Sequence, residues 1–304
     1  MTAGEEIELT VVSESSPSTR TRIKNIDANF TPLLQSVYTG NIQKARTILN
    51  SDPELANTPE PNHNCTPLIL ASKIADKQLS LEFVKLLVSF KAETNSMTKE
   101  GVTALHEAAS CDNLPVIKYL VEECGEDVNQ PNAASRPVVV AIEKGHLDIF
   151  NYFIRKGIDI RLTYNNSRCS GITILHKACH HGRIEMVNTL IKMGADINNA
   201  TNSLQESVFY WACQGGNIEV ITLLLSKSVD GNYPRIDGFR PIHVVSKFGT
   251  LELVKLLLHN NQVHYTADAN GNLPIFYAKQ GNKADIVEYY EQTFSRENSS
   301  CLLM

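Results

Sequence analysis

The chain has 304 residues, 42% of them hydrophobic and 20% charged, enough apolar material for a continuous core. Its 28 basic and 33 acidic side chains leave a net charge of −5 with no basic cluster along the sequence, which disfavours nucleic acid, a partner that needs a cationic surface to displace its counterions. Seven scattered cysteines without a CxxC pair exclude a disulfide framework and a zinc-finger spacing, and point to a reducing compartment.

Residues 1–24 are rich in Ser, Thr and Glu and offer no periodic apolar face, so a disordered leader is expected. The acidic start lacks a basic segment followed by an apolar one, which is not the pattern of a signal peptide. Thr2 excludes N-myristoylation, and no run approaches the roughly 18 apolar residues of a membrane span. Ser16 before Pro17 reads as unmodified linker.

From residue 31 one phrase returns. "TPLLQSVYTGN" is followed by "TPLILAS", "TALHEAASCDN", "RPVVVAIEKGH", "TILHKACHHGR", "SVFYWACQGGN", "RPIHVVSKFGT" and "LPIFYAKQGN", at intervals of 33 to 37 residues. A period near 33 means one supersecondary unit repeated eight times. Thr31 and Thr66 stand where a hydroxyl can accept from the orphan amides of a helix start. Pro32, Pro67, Pro137, Pro241 and Pro274 follow at the first helical position, where a missing N–H costs nothing. Glycine at 40, 145, 182, 216 or 249 is expected to end the short helix in a left-handed conformation. A second helix follows with doubled apolar spacing, such as Val220 and Ile221 with Leu224 and Leu225. Neither helix can bury its apolar face alone, so adjacent units must do it for each other. Two insertions, over 72–84 and 160–171, are expected to form loops.

These phrases resemble the ankyrin repeat, with "TALHEAAS" and "MVNTLIKMGADINN" nearest its signature. The resemblance implies an all-α solenoid of about eight helix-turn-helix units with hairpin loops over residues 25–292, followed by a flexible tail over 293–304. Arg136 and Arg240 replace the usual threonine, so their helices lose a cap and lean on neighbours. The resemblance also implies a partner lying across hairpin tips and first-helix ends. Carried over by position, the helix ends are Tyr38, Cys111, Lys144, His180, His181, Lys247 and Phe248. The hairpin tips are Lys99, Glu100, Asp237 and Phe239, and Tyr210 and Trp211 join them from the sixth first helix, with inter-repeat core the alternative for Trp211.

"HKACHHG" over 176–182 is the best candidate for chemistry, since His176 and His180 lie four apart with Cys179 between them. His176 holds the ankyrin histidine position, as do His106 and His243, and no acidic third ligand lies at helical spacing. No nucleotide loop or nucleophile elbow is present. The sequence thus reads as a non-enzymatic, monomeric interaction module without cofactor or metal.

The last four residues read "CLLM". Cysteine fourth from the end with methionine last is the prenylation pattern expected to receive farnesyl on Cys301 from a prenyltransferase. The expected location is cytoplasmic and peripheral, on a cytosolic membrane face. A bacterial effector acting in a host cell would borrow the host's prenyltransferase, so the box fits that source as well. An alternative is an adaptor recruiting a ubiquitin ligase, but the leader and tail are too short for an F-box or SOCS-type segment. A second alternative is a metal- or cysteine-dependent enzyme centred on residues 176–181.

Overall fold

The computed structural model describes residues 30–129, 136–165, 169–198, 201–260 and 263–294. The expected leader, Ser16 and the C-terminal box with Cys301 lie outside them. The chain divides into two compact units, residues 1–158 and 159–304.

Each returning phrase starts a short helix, and each short helix is followed by a second. In the first unit the pairs are α1 Pro32–Tyr38 with α2 Ile42–Ser51, α3 Pro67–Ser72 with α4 Lys77–Ser89, α5 Ala104–Ser110 with α6 Leu114–Glu122, and α7 Pro137–Lys144 with α8 Leu147–Arg155. In the second they are α9 Ile174–His180 with α10 Ile184–Lys192, α11 Val208–Gly215 with α12 Ile218–Ser226, α13 Pro241–Phe248 with α14 Leu251–His259, and α15 Pro274–Gln280 with α16 Ala284–Phe294. The expected eight units are therefore all present among the described residues. No described helix is long and apolar enough to cross a membrane.

The helix starts follow from their residues. Thr31 and Thr66 each accept an amide hydrogen from the third residue of the helix they begin. Arg136 and Arg240 make no such cap. Their guanidiniums reach backbone carbonyls instead, Asn129 at 2.8 Å and Ala267 at 2.8 Å, so these helix starts do lean on flanking loops. Gly40, Gly145, Gly182 and Gly216 are left-handed, as expected. Gly249 is not: its φ of −80° and ψ of −163° are extended, and Thr250 follows it as the cap of α14. In the third and eighth units Asp112 and Asn282 take the left-handed position, a conformation short polar side chains tolerate.

The insertion over 72–84 is not a loop. It lengthens α4 to 13 residues, where α6 has 9, because Asp76 accepts from the amides of Gln78 and Leu79 and starts the helix a turn early. The insertion over 160–171 does lengthen a hairpin. Its arms, β1 Thr163–Tyr164 and β2 Ile172–Thr173, pair antiparallel just before α9.

Within each unit first helices pack on first helices and second helices on their own partners. Leu33, Leu34, Phe83 and Leu87 are fully buried in the first unit, with Phe150 and Phe153. Phe209, Leu224, Val254 and Tyr290 are buried in the second. Each such side chain contributes about 1.5–3 kcal/mol by leaving water, and a lone helix pair would gain only part of it.

Candidate interaction surface

The histidine positions explain how one repeat grips the next. His176 and His243 point Nδ1 at the backbone N–H of Thr173 and Arg240, at 3.2 and 2.9 Å, so Nδ1 is an acceptor there. Nε2 then carries the proton, and it faces the carbonyl of Glu206 at 3.2 Å and of Thr266 at 2.9 Å in the following hairpin. Burial lowers the His243 pKa, which favours this neutral form. His106 binds the Thr103 amide the same way, at 3.2 Å.

That geometry commits His176 and Cys179, two members of the 176–181 cluster, to the fold. Both His176 ring nitrogens are engaged within the fold, and its ring is fully buried. Cys179 is fully buried too, and burial pushes its thiol pKa up, the reverse of what a nucleophile needs. Among the described residues no three His, Cys, Asp or Glu side chains group closely enough to hold a metal ion.

Trp211 and Tyr210, expected at the partner surface, are instead 6% and 3% exposed. The Trp211 indole donates to Glu206 Oε2 at 3.0 Å and meets His176 and His180 edge-on. Glu206 is itself fully buried and is held by Asn202 at 2.7 Å and by Arg235 at 3.3 Å. The Arg235 guanidinium lies 5.8 Å above the rings of both Tyr210 and Phe239. The sequence places Glu206 directly before a helix cap, where a buried carboxylate is not foreseen. The Trp211 indole, needing an acceptor once buried, is the one clue.

Phe239 is half-buried, packed edge-on against Tyr277 at 4.8 Å and tilted against His243 at 5.2 Å. Asp237 is exposed at the tip, taking Arg235 at 2.8 Å and the Phe239 amide at 3.1 Å. Lys99 is exposed but donates back to the carbonyls of Pro61 and Asn62, at 3.1 and 2.6 Å, clasping the preceding hairpin. Glu100 faces His63 at 3.5 Å, and hydrogen bonds hold its carboxyl below the usual range, the one from Thr98 foremost.

The helix ends differ. Tyr38 is half-buried against Phe30, at 5.9 Å edge-on. Cys111 is half-buried over the Lys73 carbonyl, and burial raises its thiol pKa with Glu107 adding to the effect. Lys144 is exposed, with no ion pair among the described residues. His180 and His181 stand edge-on at 5.0 Å, both half-exposed. Phe248 is 64% exposed, with Lys247 Nζ lying 5.3 Å above its ring. Ile236, 67% exposed at a hairpin tip, and Phe276 and Leu273, each 42%, were not singled out from the sequence. An isoleucine inside the polar turn "RIDGF" is a signal that was there to read.

A family description of ankyrin repeats in three copies matches residues 33–132, 74–164, 138–235 and 209–290. Among curated proteins, the ankyrin repeat and KH domain-containing protein mask-1 of Caenorhabditis elegans is 26% identical over 215 residues, 71% of this chain and 7% of that protein. Alpha-latrocrustotoxin-Lt1a of Latrodectus tredecimguttatus is 29% identical over 225 residues, 68% of this chain and 15% of that protein. The chain thus spans a small part of the length of these relatives. Among solved structures, the human ASB11 ankyrin repeat domain superposes with a TM-score of 0.63 at 19% identity, covering 75% of this chain and 97% of that one. With overlapping matches running from residue 33 to 290, the chain belongs to the ankyrin-repeat family.

Proposed function

We propose that this chain is a protein-binding module whose partner lies on the first-helix ends and hairpin tips, and that farnesyl on Cys301 holds it at a cytosolic membrane face. The observation that carries the binding reading is Phe248. A large apolar side chain left 64% exposed at a helix end gains nothing for the fold, while an interface would bury it. Phe239 is less suited to a binding test, because truncating it would also remove its packing on Tyr277 and His243.

The support for the lipid is the position of Cys301, fourth from the last residue, before Leu302, Leu303 and Met304. The thiolate sulfur would displace diphosphate from a prenyl diphosphate donor, forming a thioether and losing the thiol proton. A single lipid chain binds membrane only marginally and reversibly. A membrane-bound partner would lengthen the stay by avidity.

One experiment tests both halves: affinity purification from eukaryotic cells of the wild-type chain, Phe248→Ala and Cys301→Ser, with mass spectrometry of the C-terminal peptide. The expected result is a farnesylated Cys301 on the wild type and a partner set depleted in the Phe248→Ala sample. An unmodified Cys301 removes the lipid, and an unchanged partner set removes Phe248 from the interface.

A further inference from the structure

The carboxylates of the second unit's helices are distributed one-sidedly. Glu185, Glu219, Glu252, Asp285, Glu288 and Glu291 all stand on the second helices, α10, α12, α14 and α16. The first helices α9, α11, α13 and α15 carry none, and their charged side chains are Lys177, Lys247 and Lys279. In the first unit the equivalent helices include Glu107 and Glu143. On a chain of net charge −5, the four first helices of the second unit thus carry basic but no acidic side chains.

The same surface has a defined relief. Aligned on the helix starts at Ile174, Val208, Pro241 and Pro274, the last-turn position is His181, Gly215, Phe248 and Gly281 in successive repeats. The two glycines are compelled by packing. A Cβ on Gly215 would fall 1.9 Å from the His180 carbonyl oxygen, and one on Gly281 would fall 2.1 Å from that of Lys247. Phe248, at the same register, keeps its side chain and is 64% exposed. Lys247 lies over its ring without a carboxylate partner among the described residues. Lys279 shares Glu291 at 3.4 Å through an exposed pair, an interaction weak enough for a partner to exchange.

We propose that this surface, centred on Phe248 with Lys247 and Lys279, binds an acidic peptide segment carrying an apolar side chain. The proposal rests on the protein-binding reading above and names the chemistry of its partner. The apolar group packs against the exposed Phe248 ring. The flanking carboxylates meet the two lysines, with no acidic group on the four first helices to repel them. The lysines also answer the partial negative charge of their helix ends, so the test reads what binds rather than stability alone.

The test pans a library of short random peptides on the full chain and measures the enriched sequences, fluorescein-labelled, by anisotropy. Acidic sequences with at least one Leu, Ile, Met or Phe are expected, and raising salt is expected to weaken them. Phe248→Ala is expected to weaken binding about tenfold or more, and Lys247→Glu with Lys279→Glu to abolish it. Phe276→Ser, near the opposite end of α15, is expected to leave it unchanged. Phe248, Phe276 and Lys279 are exposed and Lys247 is half-exposed, and cooperative thermal melts of each variant confirm its folding. Enrichment of neutral or basic peptides, or acidic ones indifferent to Phe248 and the lysines, overturns this site while leaving the binding reading standing. A wild-type chain that enriches nothing overturns both. Vesicles of phosphatidylserine and phosphatidylcholine are the second probe: Lys247-dependent binding to them without peptide enrichment assigns the surface to lipid and overturns the peptide site.

Discussion

Glu206 shows how much one side chain can organise. Its carboxylate, fully buried, takes the Trp211 indole, the Asn202 amide and the Arg235 guanidinium, while its carbonyl receives His176 from the preceding repeat. Removing one member of a buried charged network leaves the others desolvated and unpaired, so Glu206→Ala is expected to destabilise the second unit by about 3 kcal/mol. Trp211, the single tryptophan, sits in that network and reports the change directly as a lower urea midpoint in its fluorescence. An unchanged midpoint would mean the network contributes nothing net. This part of the molecule was the least legible beforehand. The histidine and threonine positions could be read from the repeat, since their bonds are local or recur in phase. Arg235 and Glu206 could not, because they stand 29 residues apart and meet only when two hairpins stack. Tyr210 is buried against the expectation for the same reason, and Trp211 takes its core alternative: an aromatic in a short helix looks alike in sequence whether the next repeat covers it or not.

At the scale of the element, first helices approach so closely that α11 carries glycine where it passes α9. Gly215→Ala would drive a methyl group into the His180 carbonyl, forcing the two helices apart at a cost of about 3 kcal/mol. Gly216→Ala meets no atom within 4 Å, but its φ of +72° is strained for any residue with a Cβ, at about 1–2 kcal/mol. The expected order of urea midpoints is wild type, then Gly216→Ala, then Gly215→Ala, and the reverse order would show that backbone strain outweighs the helix contact. Only the second of these glycines was understood from the sequence, as a helix stop. The first requires knowing what lies across from it. The insertion over 72–84 was likewise visible in its length but not in its conformation, which Asp76 decides by starting α4 early.

For the whole molecule, the period near 33 was enough to find the helix pairs, because every repeat states the same pattern and the errors of one are corrected by the others. The surface was harder, since a repeat fixes the scaffold and leaves the exposed positions to vary. Buried thiols supply a probe of that scaffold that needs no substitution. Cys179 and Cys213 are buried, with pKa values raised by burial, whereas Cys65, Cys111 and Cys124 are half-exposed. Cys65 is nonetheless pushed up to about 12, by burial first and then by Glu107 and Glu60. Treatment with iodoacetamide at neutral pH, followed by peptide mapping, is expected to leave Cys179 and Cys213 unmodified until urea unfolds the second unit, when both react together. Reaction of either one in the native protein would show that α9 and α11 open separately.

The alternation of His181, Gly215, Phe248 and Gly281 along one register has a further consequence for how such a protein can change over generations. Where the main chain of one repeat touches the next, any side chain must push the two helices apart, so those two places resist replacement. At that register, 181 and 248 are the places where a lineage can acquire a new ligand at the least cost to the stack.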